Sequence, residues 1–289
     1  MGTLLEGKIA LLTGASRGIG RALAQRLAAE GATVVVSARS LETAGQYAGT
    51  LRETVGLIEA AGGRAVPLVA DIEKDADVEN LVARAVALAG GLDILIHSGG
   101  KAEYAPTHEM PPDMFDRTIQ HYLRAPFTLV RHAVPEMKKR GAGWIVVLGS
   151  VTALPPARPY DEWASCGGAT VYAAVKAAVH RMTQGLAAEL LPHNIAVNTL
   201  APSTAIRTPG ASDLIPEGYP SERIEYIVET GLALCHRPAR ERTGLNAYSL
   251  HFPLAHGMPV YTLDGRERIE DPVIPPYAHS EIVGSGEGR

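Results

Sequence analysis

The feature that most constrains this chain is an alternation of two kinds of segment. Short runs rich in β-branched residues, at residues 9–13, 33–37, 65–69, 94–97, 145–149 and 196–200, are separated by longer stretches rich in alanine and leucine. A strand, a crossover of helical length and another strand make the unit of a parallel sheet. The runs are apolar almost throughout rather than alternating, which suits strands covered by helices on both faces. The expected fold class is therefore α/β, a doubly wound parallel sheet. Helices are expected at residues 19–30, 50–61, 78–89, 114–139 and 171–191. Gly31 follows the first of these as a C-terminal cap signal, and Pro126 and Pro135 should kink or divide the fourth.

After Pro202 the periodicity weakens. Residues 202–221 are rich in proline, glycine and serine and read as a mobile flap, with a helix resuming at 222–234, so that flap and helix together occupy about 202–235. A tail from about 265 to 289 carries Pro272, Pro275 and Pro276 and reads as an extended arm. No internal repeat and no long linker divides the chain, so residues 1–289 are expected to form one domain.

Composition excludes several classes. At 46% apolar residues the chain is neither disordered nor fibrous. A formal net charge of -4, with both signs interspersed, leaves no nucleic-acid footprint. Cys166 and Cys235 lack metal-ligand spacing and read as reduced thiols. His97, His108, His121 and His132 are scattered, with no H-E-x-x-H or C-x-x-C pattern, so no metal is expected. The N-terminus lacks the basic and apolar regions of a secretory signal, and no apolar run approaches the roughly 18 residues of a membrane span. The expectation is a cytoplasmic protein with no membrane partner.

Thr13-Gly14-Ala15-Ser16-Arg17-Gly18-Ile19-Gly20 ends a strand and opens a helix. Its glycines are spaced G-x-x-x-G-x-G. Glycine allows a tight turn and lets backbone approach a pyrophosphate, which then sits against the positive end of the helix. The expected cofactor contacts are Gly14, Ser16, Arg17, Gly18, Ile19 and Gly20. The second strand ends in Ser37-Ala38-Arg39, where NAD sites usually place a carboxylate for the ribose 2′-hydroxyl. Arg39 and Arg17, with no carboxylate there, favour a 2′-phosphate, so NADP is expected over NAD.

Tyr172-Ala173-Ala174-Val175-Lys176 lies near the start of an apolar helix. Positions i and i+4 share a face, so phenol and ammonium can meet. A nearby cation lowers a tyrosine pKa from about 10, which makes Tyr172 a candidate general acid/base.

With these parts assembled, the chain resembles the short-chain dehydrogenase/reductase family. The resemblance runs from about Leu5 to Pro202 and rests on Thr13–Gly20, Asp71-Ile72, Ser150 after an apolar strand, and Tyr172 with Lys176. It implies a single Rossmann-like domain with strand order 3-2-1-4-5-6-7, and a homodimer or homotetramer. By the same resemblance Ser150 hydrogen-bonds the substrate oxygen, and Tyr172 exchanges the proton. Lys176 binds the nicotinamide ribose and depresses the tyrosine pKa. Asp71 meets the adenine and Ile72 packs on it. His97 and Gly99 after the fourth strand, and Pro202 after the sixth, complete the expected cofactor contacts, while Asn198 braces the site.

The family pattern is broken in places. His97-Ser98-Gly99-Gly100 stands where Asn-Asn-Ala-Gly is usual, and Pro202-Ser203 where Pro-Gly is usual. Tyr122 stands where an asparagine is usual, whose backbone carbonyl helps hold a water in the proton relay from the lysine. The segment between Ser150 and Tyr172 is longer than the norm and carries Tyr160, Asp161, Glu162 and Trp163, either to wall the substrate pocket or as a tolerated surface insertion. The function implied is an NADP-dependent oxidoreductase interconverting a secondary alcohol and a ketone, its partner a small carbonyl or alcohol substrate. The alternative is a non-catalytic NADP-binding or scaffolding protein of the same fold.

Overall fold

The structure, a computed structural model, describes residues 3–42 and 46–287. The last two residues of the expected tail lie outside them. The first half of the chain forms β1 (Ile9–Thr13), α1 (Gly18–Ala29), β2 (Thr33–Ala38), α2 (Leu51–Ala60), β3 (Arg64–Val69), α3 (Asp75–Ala89) and β4 (Ile94–His97). Next, α4 (Pro112–Ile119) passes through one π-helical turn, Gln120–Arg124, into α5 (Ala125–Arg140). The second half adds β5 (Gly143–Leu148), α6 (Glu162–Cys166), α7 (Thr170–Leu190), β6 (Ile195–Ala201), α8 (Ile224–Ala233), β7 (Asn246–Tyr248) and α9 (His251–Ala255).

The strands form one seven-stranded sheet in the order β3-β2-β1-β4-β5-β6-β7, every neighbouring pair parallel. Successive residues of a strand feed opposite layers, as the pleat demands. In β1, Ala10 and Leu12 join a core with Leu23 and Leu27 of α1, Ile58 of α2 and Ile227 of α8. Leu11 points the other way, into a core with Leu81 of α3, Leu129 of α5 and Val179 of α7. Helices thus cover both faces, and the sheet is a doubly wound Rossmann-like α/β fold. The short β7 pairs with β6 through Thr199↔Asn246 to Ala201↔Tyr248; no sequence run announced it.

Local chemistry sets the boundaries. Thr50 caps α2 by accepting from the Glu53 amide at 3.1 Å, a threonine three residues before a glutamate. Gly90 and Gly141, in the left-handed region, end α3 and α5. The expected fourth helix does divide just before Pro126, but it runs on through Pro135. Pro135 lies on the exposed face, so the carbonyl it deprives of a donor faces water and the break costs little.

The order of strands reverses at β1 and β4, whose C-terminal ends meet at Thr13↔His97. In an open α/β sheet this is where a crevice opens for ligands.

Candidate active site

The glycine loop lies at that reversal. Gly14 takes φ +68, and a Cβ there would stand 2.6 Å from the Gly99 Cα. A Cβ on Gly20 would run into the Gly14 carbonyl and the Ser98 hydroxyl. The loop and the Ser98-Gly99 turn therefore fit together only without side chains, leaving backbone at the surface of the crevice. The N-terminus of α1 has no side-chain cap and no acidic residue in its first turn, so its amides remain available to an anion. This cradle suits a dinucleotide pyrophosphate, which Gly14, Ser16, Gly18, Ile19 and Gly20 could hold.

At the end of β2, Arg39 is exposed and its guanidinium stands 3.7 Å from Glu73. Arg17 donates to the carbonyls of Tyr47 at 2.7 Å and Gly49 at 3.3 Å. Burial, with Arg39 and Arg21 close by, holds its pKa below the usual arginine range. Two adjacent guanidiniums, with no carboxylate in β2, fit a 2′-phosphate. Asp71 turns its own carboxylate on the Glu73 amide at 3.1 Å, and Ile72 packs toward Gly99.

His97 requires a correction. Expected to line the cofactor pocket, it is 2% exposed. Its Nε2 donates to the His121 carbonyl at 2.9 Å, and its Nδ1 accepts from the Thr13 hydroxyl at 2.9 Å. Burial pushes its pKa down to about 4, so the ring is neutral and this pattern of donor and acceptor holds. The His121 carbonyl is free for it because the helix locally winds as a π turn, with the Ala125 amide bonding Gln120 instead. Pro126 has no N–H, so the Tyr122 carbonyl also lacks an α-helical donor. Ser98 ties in by donating to the Thr13 carbonyl at 2.7 Å. What His97-Ser98 gives the crevice is the position of Thr13 and of the opened helix.

The reaction centre forms where β5 and α7 meet. Tyr172 is hydrogen-bonded to Ser150, which follows β5. Ser150 also lies 2.9 Å from the Thr152 hydroxyl, and its amide points at His180 Nε2 at 3.4 Å. Lys176 is 3% exposed and donates to the Leu148 carbonyl at 2.7 Å. Its Nζ lies 4.0 Å from the Tyr122 ring centre and 5.6 Å from that of Tyr172. Only a carbonyl dipole and aromatic faces hold the ammonium, and burial pushes its pKa down to about 7. The expected depression of the Tyr172 pKa is also corrected. Burial and the neighbouring Tyr104 raise it, and the Ser150 hydrogen bond offsets this only in part.

Ser150, Tyr172 and Lys176 are thus brought together, opposite Gly99 and the glycine loop. Pro202 lies just past β6 on the same side of the sheet, followed by Ser203, whose hydroxyl meets His251 Nδ1 at 2.9 Å. Asn198 is fully buried, and its amide joins the Arg242 carbonyl and the Leu245 amide, which fixes the turn into β7. Two residues that touch the centre carried no sequence signal strong enough to single them out. Tyr104, in the irregular segment after β4, packs edge-on against Tyr172 at 5.3 Å. His180 backs Ser150; its spacing of i+4 from Lys176 and i+8 from Tyr172 was the available clue. Among the described residues no His, Cys, Asp or Glu cluster could hold a metal, and no helix is long and apolar enough to cross a membrane.

Known proteins are similar to this chain in sequence and fold. The family described as short chain dehydrogenase matches residues 8–216. "Dehydrogenase/reductase SDR family member 4" of Homo sapiens is 36% identical over 199 residues, 68% of this chain and 66% of that protein, so the match spans just under two thirds of that relative. A "Hydroxynaphthalene reductase-like protein" of Metarhizium majus is 35% identical over 234 residues, 80% of this chain and 82% of its own. A solved short chain dehydrogenase from Burkholderia cenocepacia, in complex with NADP, superimposes with a TM-score of 0.71 at 31% identity, over 84% of this chain and 96% of that one.

Proposed function

This chain belongs to the short-chain dehydrogenase/reductase family, whose members are NAD(P)-dependent oxidoreductases, and on that premise we propose that it interconverts a ketone and a secondary alcohol with NADP as its cofactor. The observation that carries the reading is the buried meeting of Tyr172, Ser150 and Lys176 beside a side-chain-free dinucleotide cradle. When bound in the cradle, NADPH would supply the hydride that the carbonyl carbon takes up, becoming NADP+. Tyr172, kept protonated by burial, donates the proton that the carbonyl oxygen takes up. The Ser150 hydroxyl shares that oxygen and stabilises charge as it develops there. The charge of Lys176 favours the phenolate that remains; in the reverse direction that phenolate takes the proton back from the alcohol, and the Lys176 ammonium would donate to a ribose hydroxyl.

Arg39 at the end of β2 and Arg17 in the glycine loop support NADP over NAD, as does the NADP bound by the Burkholderia cenocepacia relative. Residues 1–289 act as a single domain in this reading, with the segment at about 202–235 closing over the substrate to exclude water. Phe115 and Phe127, both about half exposed on α4 and α5, support association of copies through those helices as a homodimer or homotetramer.

The test is a fluorescence titration of NADPH and NADH on the wild type and Arg39→Ala, followed by turnover of a ketone panel. NADPH is expected to bind at least tenfold more tightly than NADH, and Arg39→Ala to erase that preference. Equal affinity for the two cofactors refutes the NADP assignment. Tight NADPH binding without turnover of any ketone, unaltered by Tyr172→Phe, favours the non-catalytic alternative, for which Tyr122 over Lys176 is the motivating feature.

A further inference from the structure

Aromatic residues are scarce in this chain, two Trp, ten Tyr and three Phe. Four of them nevertheless form one continuous file through the reaction centre. Tyr122 meets Tyr172 with ring centres 5.3 Å apart at 88°, Tyr172 meets Tyr104 at 5.3 Å and 72°, and Tyr104 meets Trp163 at 5.5 Å and 77°. All three contacts are edge-to-face, the arrangement in which the positive rim of one ring addresses the negative face of the next. The file runs outward, from Tyr122 at 8% exposed to Trp163 at 43%. Its members come from four separate elements: the π turn, α7, the segment after β4, and α6 of the insertion.

The outer part of the file is held as a unit. The Ala105 amide donates to the Gly168 carbonyl at 3.1 Å, which ties the segment of Tyr104 to the end of the insertion that carries Trp163. A Cβ on Gly168 would stand 2.8 Å from the Ala105 carbonyl carbon, so the two backbones meet directly. Glu103 is bound by Arg117 at 3.0 Å and faces Lys101 at 3.7 Å, so the charged groups flanking Tyr104 are engaged with one another. The wall offers an incoming molecule rings.

We infer that Tyr172 and Trp163 flank a recognition slot, now filled by the Tyr104 ring, for a flat aromatic substrate, an aryl ketone or the matching benzylic alcohol. The inference rests on the proposed alcohol–ketone chemistry for its reacting oxygen, which must reach the Tyr172 phenol. Tyr104 now covers that phenol edge-on. A substrate ring taking the place of Tyr104 between Tyr172 and Trp163 keeps the same edge-to-face contacts and leaves its conjugated carbonyl at the phenol. A saturated ring of the same size gains the apolar burial but not the quadrupole match. An aliphatic chain finds no such match here.

Two ketones of nearly equal size separate these cases, α-tetralone with one aromatic ring and α-decalone with none. Binding is measured by calorimetry on the full chain with and without NADP+, conditions in which no ketone is reduced. Tetralone is expected to bind about tenfold more tightly than decalone, the size of one or two good aromatic pairs. That ratio should fall to within twofold of unity in Trp163→Leu, persist in Trp163→Phe, which keeps a ring in place, and persist in Tyr104→Leu, whose side chain gives way to the substrate ring. A wild-type ratio near one, no detectable tetralone binding, or a ratio that Trp163→Leu leaves intact overturns the slot. Reduction by NADPH is followed separately. Selective tetralone binding without reduction leaves the slot standing and removes the proposed chemistry. Equal binding and reduction of both ketones does the reverse.

Discussion

The two sides of the crevice are built by opposite means. On the β1–β4 side the surface offered to a ligand is backbone: Gly14 and Gly20 lie so close to Gly99 and Ser98 that a single methyl does not fit. On the β5–β6 side the work is done by buried polar side chains, with Lys176 at 3% exposure and Tyr172 joined to Ser150. A backbone surface fixes shape and leaves the chemistry to what binds it. A side-chain centre fixes proton positions and can change identity at any residue.

The largest effects should split along this line. Gly20→Ala drives its methyl into the Gly14 carbonyl and the Ser98 hydroxyl, so NADPH affinity should fall by roughly 100-fold. Tyr172→Phe should lower kcat by about 10²- to 10⁴-fold, the range for loss of a general acid, while NADPH affinity stays within about twofold. Titration and single-turnover measurements on both variants check this. If Tyr172→Phe costs as much cofactor affinity as Gly20→Ala, the division between the two sides fails.

The two sides also differed in how far the sequence revealed them. The first was legible because its constraint is local. Gly14, Gly18 and Gly20 fall within one strand-to-helix turn, and each glycine marks a place where the chain must lack a side chain. The sheet was legible for the same reason, since each apolar run carries its own signal; the three-residue β7 was too short to do so. Tyr172 and Lys176 could be paired because one helix face joins them. What could not be read were contacts across distant segments. Tyr104 reaches Tyr172 from an irregular stretch 68 residues away, with no periodicity to aim it. The direction of the Tyr172 pKa was misjudged because helical spacing predicts the neighbouring cation, whereas burial and Tyr104 decide the outcome. His97 was placed on the pocket wall because β4 ends there, yet its ring turns inward to a carbonyl that only the π turn exposes.

Lys176 tests the side-chain half through stability. Its folded pKa of about 7 lies below the usual lysine value of 10.5. Below about pH 7 the amine is charged in both folded and unfolded chains, and the folded state carries the full cost of burying it. Between pH 7 and 10.5 only the unfolded chain keeps the proton, so stability rises with pH across that window. Lys176→Met should therefore be more stable than the wild type below pH 7, by on the order of a few kcal/mol, and lose that advantage toward pH 10.5. Urea unfolding of the cofactor-free protein at several pH values checks the sign. A pH-independent difference means the amine is solvated and Tyr122 does not seal it.

The smallest expected effect gives the sharpest contrast, because a buried neutral histidine stands behind each side. Burial pushes both His97, behind the glycine loop, and His180, behind Ser150, from 6.5 down to about 4. With folded pKa values below unfolded ones, their contribution to stability is complete above pH 6.5 and is lost as the pH falls toward 4. Each should add up to about 1.4 kcal/mol per pH unit to the acid slope of unfolding. His97→Gln and His180→Gln should each remove that share, so stability alone does not tell them apart. Function does. His97→Gln loosens Thr13 and the π turn and should weaken NADPH binding about threefold with kcat retained. His180→Gln loses the ring that meets the Ser150 amide and should lower kcat about threefold with NADPH affinity retained. If both variants shift the same constant, then the backbone side and the side-chain side act as one unit, and the contrast between them describes construction rather than function.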